Sequence, residues 1–353
     1  MLPRIDTADH NFTAYYNSAT LTTQVSWQAM TGGECIILQI DSVTNYYKTH
    51  RYCYFDEDDL ADINYRMHDS NETWIMDYAA NGFGTIDASN QEYGNTTNSQ
   101  VTSGDYNGDG ITEISVLYNS SNSCSLLIEE SLFSGWNRAI DINATSSNIT
   151  PFIGDFNGDG KYDFFYRNES EERLYKRYAN QFILESDTLG QYGNNTYTIP
   201  AVGDYDGDGK DDLALVKSNG NVLVDFNYNG LTGWDVTNYQ LPWNNISPAN
   251  SITVVSDYDG DGKADIGLFW RDTKTWNIDL SYNGFGVQDN TLSLTSSIGN
   301  ISDKIVSAVG TDFDGDGISD LAVFVSDNMQ TTVYILLTKE KYYQVHSYAY
   351  SIE

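Results

Sequence analysis

Short apolar runs of four or five residues recur along the chain, each bounded by Gly, Asn and Asp: Ile114–Tyr118, Phe164–Arg167, Leu213–Val216, Ile266–Trp270 and Leu321–Val325. Runs of this length with such flanks read as buried strands. Further into each unit an alternating segment leads to an Asn-Gly turn and an aromatic residue, in Trp74–Gly84, Val222–Trp234 and Trp276–Gly286. Worn versions lie at Leu126–Trp136 and Leu174–Phe182. Asn-Gly between alternating segments is a strong hairpin signal. With a strand ahead of the polar segment that precedes each apolar run, the unit reads strand, loop, strand, strand, hairpin turn, strand. That is a four-stranded antiparallel sheet, and the fold class is all-β.

The polar segment ahead of each run is nearly the same nine residues five times: DYNGDGITE from Asp105, DFNGDGKYD from Asp155, DYDGDGKDD from Asp204, DYDGDGKAD from Asp257 and DFDGDGISD from Asp312. The starts lie 50, 49, 53 and 55 residues apart, so the chain is an array of units of one size. Positions 1, 3, 5 and 9 are Asp105, Asn107, Asp109 and Glu113 in the first copy and Asp155, Asn157, Asp159 and Asp163 in the second. They are Asp204, Asp206, Asp208 and Asp212 in the third, Asp257, Asp259, Asp261 and Asp265 in the fourth, and Asp312, Asp314, Asp316 and Asp320 in the fifth. Position 7 (Ile111, Lys161, Lys210, Lys263, Ile318) is chemically indifferent, as expected of a backbone carbonyl ligand. Oxygen donors at alternate positions suit Ca2+, and glycines at positions 4 and 6 let the backbone curl around an ion. Magnesium fits less well because it prefers a tight octahedron and keeps its waters. The bland alternative, Asp-Gly turns without metal, leaves three or four carboxylates repelling one another within nine residues. A helix-loop-helix calcium site needs a Glu at position 12, where this chain has Val116, Tyr166, Leu215, Leu268 and Val323.

Counting units sets the expected architecture. One period upstream, Tyr54–Asp62 keeps Asp56, Asp58 and Asp62 at positions 3, 5 and 9 but lacks both glycines; it reads as a decayed sixth loop. A further period back the register falls on Pro3–Asn11, with Phe12–Tyr16 as the following strand and no ligands left. Starts at residues 3, 54, 105, 155, 204, 257 and 312 predict seven blades closing into one β-propeller domain over residues 1–353. An open array is the alternative, and closure is preferred because it removes sheet edges. Either Met1–Ile5 or the C-terminal Tyr342–Tyr350 is expected to complete the ring, with the second favoured.

The DxDGDGxxD loop between strands, the period and the GFG or GxxGW hairpin resemble the FG-GAP and VCBS repeats of integrin α-subunit heads and many secreted proteins. The resemblance spans nearly the whole chain. It implies a seven-bladed propeller with calcium, about five ions here, in loops along one face. It also implies a role in adhesion, carbohydrate binding or scaffolding, and occasionally catalysis. The first two units depart from the pattern and are expected to bind calcium weakly or not at all.

The net charge of −32 argues against nucleic acid or anionic membranes as partners. The ligand positions of the five loops hold 18 of the 50 Asp and Glu. Loops of this kind suit millimolar extracellular calcium, so a secreted or surface location is expected. No apolar run is long enough to span a bilayer. The first twelve residues lack an apolar signal core, so any secretory leader is expected to have been removed. Cys35, Cys53 and Cys124 are an odd count; a Cys35–Cys53 disulfide and buried free thiols are both open. Ten N-x-S/T sequons, at Asn11, Asn71, Asn95, Asn119, Asn143, Asn148, Asn168, Asn194, Asn245 and Asn300, are glycan acceptors if the chain is eukaryotic and secreted.

No HExxH, GxSxG, phosphate loop or CxxC occurs, and His10, His50, His68 and His346 have no metal-like spacing. The expected function is therefore a non-enzymatic binding or adhesion module for protein or glycan. A self-assembling structural protomer is the alternative, and a polysaccharide-acting enzyme ranks below both. The aromatics at position 2 of each loop (Tyr106, Phe156, Tyr205, Tyr258, Phe313) are expected to pack sheet on sheet, and ligand contacts are sought outside that register, at Trp243, Trp270 with Arg271, and Tyr46 with Tyr47.

Overall fold

The computed structural model describes three strands between residues 10 and 40 and most of residues 54–351. The larger segments left out of the latter are 67–73, 91–98, 188–197 and 298–304. The chain divides into two compact units, Met1–Tyr47 and Lys48–Glu353. The first holds a three-stranded antiparallel sheet, β1 (His10–Asn17), β2 (Thr22–Ala29) and β3 (Cys35–Ile40).

The second unit holds six sheets, each with its strands in chain order. The first has three: β4 (Ile63–Arg66), β5 (Trp74–Asp77) and β6 (Ala88–Asn90). The next two are β7–β10 (Ser99–Gly104, Glu113–Asn119, Cys124–Glu129, Arg138–Asp141) and β11–β14 (Ile149–Gly154, Asp163–Asn168, Arg173–Arg177, Leu184–Asp187). Then come β15–β18 (Thr198–Pro200, Leu213–Lys217, Asn221–Asp225, Val236–Gln240) and β19–β22 (Ser251–Ser256, Asp265–Trp270, Thr275–Asp279, Asn290–Ser293). The last is β23–β26 (Ile305–Thr311, Asp320–Asp327, Gln330–Lys339, Tyr342–Ser351). Each predicted apolar run is the second strand of its sheet, paired on both sides and buried on both faces, which is why it reads as continuous rather than alternating.

The ring has six blades, not seven. A single backbone bond repeats between neighbouring loops, from the N–H of position 8 to the carbonyl of position 1 in the loop before. It runs from Tyr162 to Asp105 (2.7 Å), Asp211 to Asp155 (3.0 Å), Ala264 to Asp204 (2.7 Å) and Ser319 to Asp257 (2.9 Å). Thr112 makes the same bond to Tyr54, and Ala61 to Asp312 at 3.1 Å. The decayed loop at Tyr54–Asp62 thus receives the last loop directly. No place remains between them for a unit starting at residue 3, and the predicted strand Phe12–Tyr16 lies within β1, in the other compact unit.

Six apolar clusters match the six junctions. Val254, Phe269 and Trp276 of the fifth sheet pack on Leu321 and Val323 of the sixth. Across the closing junction Phe313, Phe324 and Ile335 pack on Tyr54, Ile63 and Ile75. The position-2 aromatics Tyr106, Phe156, Tyr205, Tyr258 and Phe313 are all buried at such junctions. The residue just before the loop is glycine in three sheets, at Gly104, Gly154 and Gly203, where neighbouring blades converge. A Cβ on Gly203 would lie 2.6 Å from Ala264 Cβ and 2.8 Å from Val255 Cγ1.

The Asn-Gly signals mark the connections into the last strand of the sheet, but not as two-residue hairpins. Each closes a one-turn 3-10 segment (Ala79–Asn81, Asn227–Asn229, Ser281–Asn283) whose last amide is followed by Gly82, Gly230 or Gly284 at φ of 83–87°. In the last sheet β25 runs on to Lys339, which pairs with Tyr342 of β26. Tyr348 of β26 packs on Phe83 of the first sheet's connection, with ring centroids 5.4 Å apart, so the favoured C-terminal segment does contribute to the closing junction. Met1–Ile5 and Cys53 lie outside the described residues, as does the side chain of Cys35. Cys124 is a buried free thiol. No described helix is long and apolar enough to cross a membrane.

Candidate functional site

All five predicted loops follow one hydrogen-bonding scheme. The position-1 carboxylate accepts the N–H groups of positions 4 and 6, as Asp204 does from Gly207 (2.7 Å) and Gly209 (2.8 Å) and Asp312 from Gly315 (2.7 Å) and Gly317 (2.8 Å). Asp105, Asp155 and Asp257 repeat this. Position 3 accepts from the amide of position 5 at Asn107, Asn157, Asp206 and Asp259. Position 5 accepts from position 7, so Asp109, Asp159, Asp208, Asp261 and Asp316 take the N–H of Ile111, Lys161, Lys210, Lys263 and Ile318. The glycines at positions 4 and 6 have positive φ throughout, which an L side chain adopts only at a cost. Position 7 has a second task that its variability hid. The stems of Lys161, Lys210 and Lys263 lie over the position-4 glycines Gly108, Gly158 and Gly207 of the preceding loop, at distances of 3.0–3.4 Å from where a Cβ would stand.

Position 9 ties loop to sheet. Asp212 accepts from Tyr205 N and Asn227 N (both 2.8 Å), Asp265 from Tyr258 N (2.8 Å) and Ser281 N (2.7 Å), and Asp320 from Phe313 N (2.9 Å) and Thr338 N (2.7 Å). Asp163 takes Ala179 N, and Glu113 takes Tyr106 N and the Asn107 amide. Asp62 keeps the scheme in the decayed loop through Phe55 N and Ala79 N. Burial pushes Glu113, Asp163, Asp212 and Asp265 up to about 8 and Asp62 and Asp320 to about 7. Backbone N–H bonds oppose this, and neighbouring loop carboxylates add to it. Carboxylate oxygens of Asp105, Asp109 and Glu113 lie within 4.8 Å of one another. The same holds for Asp204, Asp206 and Asp212, for Asp257, Asp259 and Asp265, for Asp312, Asp314 and Asp316, and for Asp56, Asp58 and Asp62. The Asp155 loop, with Asn157 at position 3, is not among these groups. Hard oxygen donors held this close, most of them also accepting backbone amides of the loop, fit a divalent cation of calcium's class.

A second acidic tier was present in the sequence but absorbed into the strands. Asp77, Asp225 and Asp279, the last residues of β5, β17 and β21, accept the N–H of Gly84 (2.7 Å), Gly233 (3.0 Å) and Gly286 (2.9 Å). Asp87, Asp235 and Asp289 accept the N–H of Tyr78, Phe226 and Leu280 and the side-chain amides of Asn81, Asn229 and Asn283. These bonds hold the 3-10 turns rigid. At the tips of two of them Tyr228 and Tyr282 stand 63% and 65% exposed, in equivalent positions on neighbouring blades. Ala80 takes that place in the first sheet. The Asn-Gly immediately after each tyrosine was the available signal.

The aromatics singled out from sequence fare differently. Trp243 is buried, its indole N–H donating to Gln288 Oε1 at 2.7 Å, and is a packing residue. Trp270 and Arg271 are half-buried, and burial lowers the guanidinium's pKa. Tyr46, Tyr47, His50 and His68 lie outside the described residues. His346 stacks on Tyr348.

A family model described as FG-GAP-like repeat matches residues 155–215 and 204–268, and one described as FG-GAP repeat matches residues 306–336. Among solved structures the chain is similar to an Agrocybe aegerita lectin that recognises non-reducing terminal N-acetylglucosamine. Identity is 14% over 97% of this chain and 80% of that one, with a TM-score of 0.49. It is also similar to AofleA from Arthrobotrys oligospora, at 12% identity over 98% and 87% of the two chains and a TM-score of 0.45. No curated protein sequence matches the chain.

Proposed function

We propose that the chain is a secreted or surface-attached, non-enzymatic binding module. Calcium in the nine-residue loops stiffens the ring, and the tyrosine-bearing turns meet a glycan. The observation that carries the reading is the pair Tyr228 and Tyr282. Two large aromatic rings lie in water at the same place on adjacent blades, each on a turn pinned by an Asp–Asn pair. A flat apolar face beside amide and carboxylate groups suits a sugar, whose C–H face stacks on the ring while its hydroxyls reach the polar groups. Repetition on neighbouring blades suits a multivalent or extended glycan. A protein ligand would use the same surface through its own aromatic and polar contacts. Catalysis is not part of the proposal.

A glycan array probed in calcium and in chelator tests it, followed by titration of the best hit. Tyr228→Ala and Tyr282→Ala are each expected to weaken binding about tenfold, and more together. Their melting temperatures should match the parent, since both side chains are exposed. Undiminished binding by the double variant would place the ligand elsewhere.

A further inference from the structure

We propose that Asn107 and Asn157 are sites of self-deamidation, at which the loop converts its own side-chain amide into a carboxylate. Both are Asn-Gly pairs with the asparagine at position 3, where the other three loops carry Asp206, Asp259 and Asp314. In such a pair the glycine nitrogen can attack the asparagine Cγ, because no Cβ shields it. The attack is helped by a base on the glycine N–H, by a donor on the side-chain oxygen that gains negative charge, and by access to water.

The loop supplies all of these. The N–H of Gly108 is held by the Asp105 carboxylate at 2.6 Å, and that of Gly158 by Asp155 at 2.8 Å. Asn107 Oδ1 accepts the N–H of Asp109 at 2.8 Å, and Asn157 Oδ1 that of Asp159 at 2.9 Å. Both asparagines are half-buried and the glycines that follow them are exposed, so water reaches the pair. The bond from the glycine nitrogen to Cγ forms and the Cγ–Nδ2 bond breaks, while the glycine proton passes by way of the position-1 carboxylate to the departing nitrogen, which leaves as ammonia. Water then opens the cyclic imide at one of its two carbonyls, giving Asp or isoaspartate. Opening to Asp gives position 3 the carboxylate that the other three loops already have.

The chain carries its own controls. Asn81, Asn219, Asn229 and Asn283 are also followed by glycine, but there the glycine N–H donates to a backbone carbonyl, that of Ala79, Lys217, Asn227 or Ser281, at 2.9–3.1 Å. A neutral carbonyl is a far weaker proton acceptor than a carboxylate. Asn219 has half of the arrangement, since its Oδ1 accepts the N–H of Asn221 at 3.1 Å. The same dipeptide thus stands in six places, and a carboxylate on the glycine N–H marks two of them.

Peptide mapping by mass spectrometry of the folded full chain, held at neutral pH in chelator and sampled over days, tests this. Asn107 and Asn157 are expected to convert several-fold faster than the other four asparagines, and in denaturant the six rates are expected to come together. Asp155→Asn keeps an acceptor for the Gly158 N–H but loses the base; it is expected to slow Asn157 several-fold and to leave Asn107 at the parental rate. Conversion no faster at the two loops than at the other four pairs, a preference that survives in denaturant, or an Asp155 variant in which Asn157 converts as fast as in the parent overturns the proposal.

Discussion

Stripping divalent cations with a chelator is expected to lower the melting temperature by about 5–15 °C, and added calcium to restore it. A site whose dissociation constant is near millimolar adds about 0.4–1.4 kcal/mol when calcium stands at one to ten times that value. Five independent loops then contribute about 2–7 kcal/mol, at roughly 2 °C of melting temperature per kcal/mol for a unit of this size. The pH dependence should invert with the cation. Without it, the position-9 carboxyls have folded pKa values of about 7–8 against 3.8 for an ordinary Asp. The folded chain therefore holds protons that the unfolded chain releases. That stabilisation is complete below the unfolded value and is lost as pH rises through 7 to 8. The chelated protein should melt higher at pH 5 than at pH 8. With calcium bound, protons compete for the ligands and the order reverses. Thermal melts at the two pH values, with and without calcium, check both signs, and identical curves would contradict them.

Asp212→Ala is expected to cost about 2–5 kcal/mol even in chelator, because it leaves the N–H groups of Tyr205 and Asn227 without their acceptor inside the protein. The melting temperature should fall by roughly 4–10 °C. Asp208→Ala removes an exposed carboxylate of the same loop and should cost little in chelator, losing only one site's contribution when calcium is present. Denaturant unfolding of both variants in both conditions separates the two roles. An Asp212 variant as stable as the parent in chelator would show that position 9 serves the cation alone.

The strand order, the nine-residue loops and the buried aromatic at position 2 were legible because each rests on side-chain type at a fixed spacing. Blade number was not. Ring closure is made by a position-8 amide and a position-1 carbonyl, as between Ala61 and Asp312, and every residue except proline can supply both groups. Dividing the chain by its period therefore counted β1 as part of the ring. Position 9 looked like a plain ligand because its partners, Tyr205 N and Asn227 N, are backbone groups with no signature of their own. The second acidic tier was hidden for a related reason. Asp77, Asp225 and Asp279 end apolar strands and could be taken as solvent-facing, yet they are fully buried against glycine amides. Tyr228 and Tyr282 carried the opposite ambiguity: in a chain with 27 Tyr, most of the aromatic signal belongs to packing.

The claim on which the rest depends is that the acidic loops hold calcium. Equilibrium dialysis of chelator-stripped chain against millimolar calcium measures it directly. About five ions per chain are predicted, with one fewer in Asp204→Ala. A chain that takes up no calcium under those conditions would contradict it.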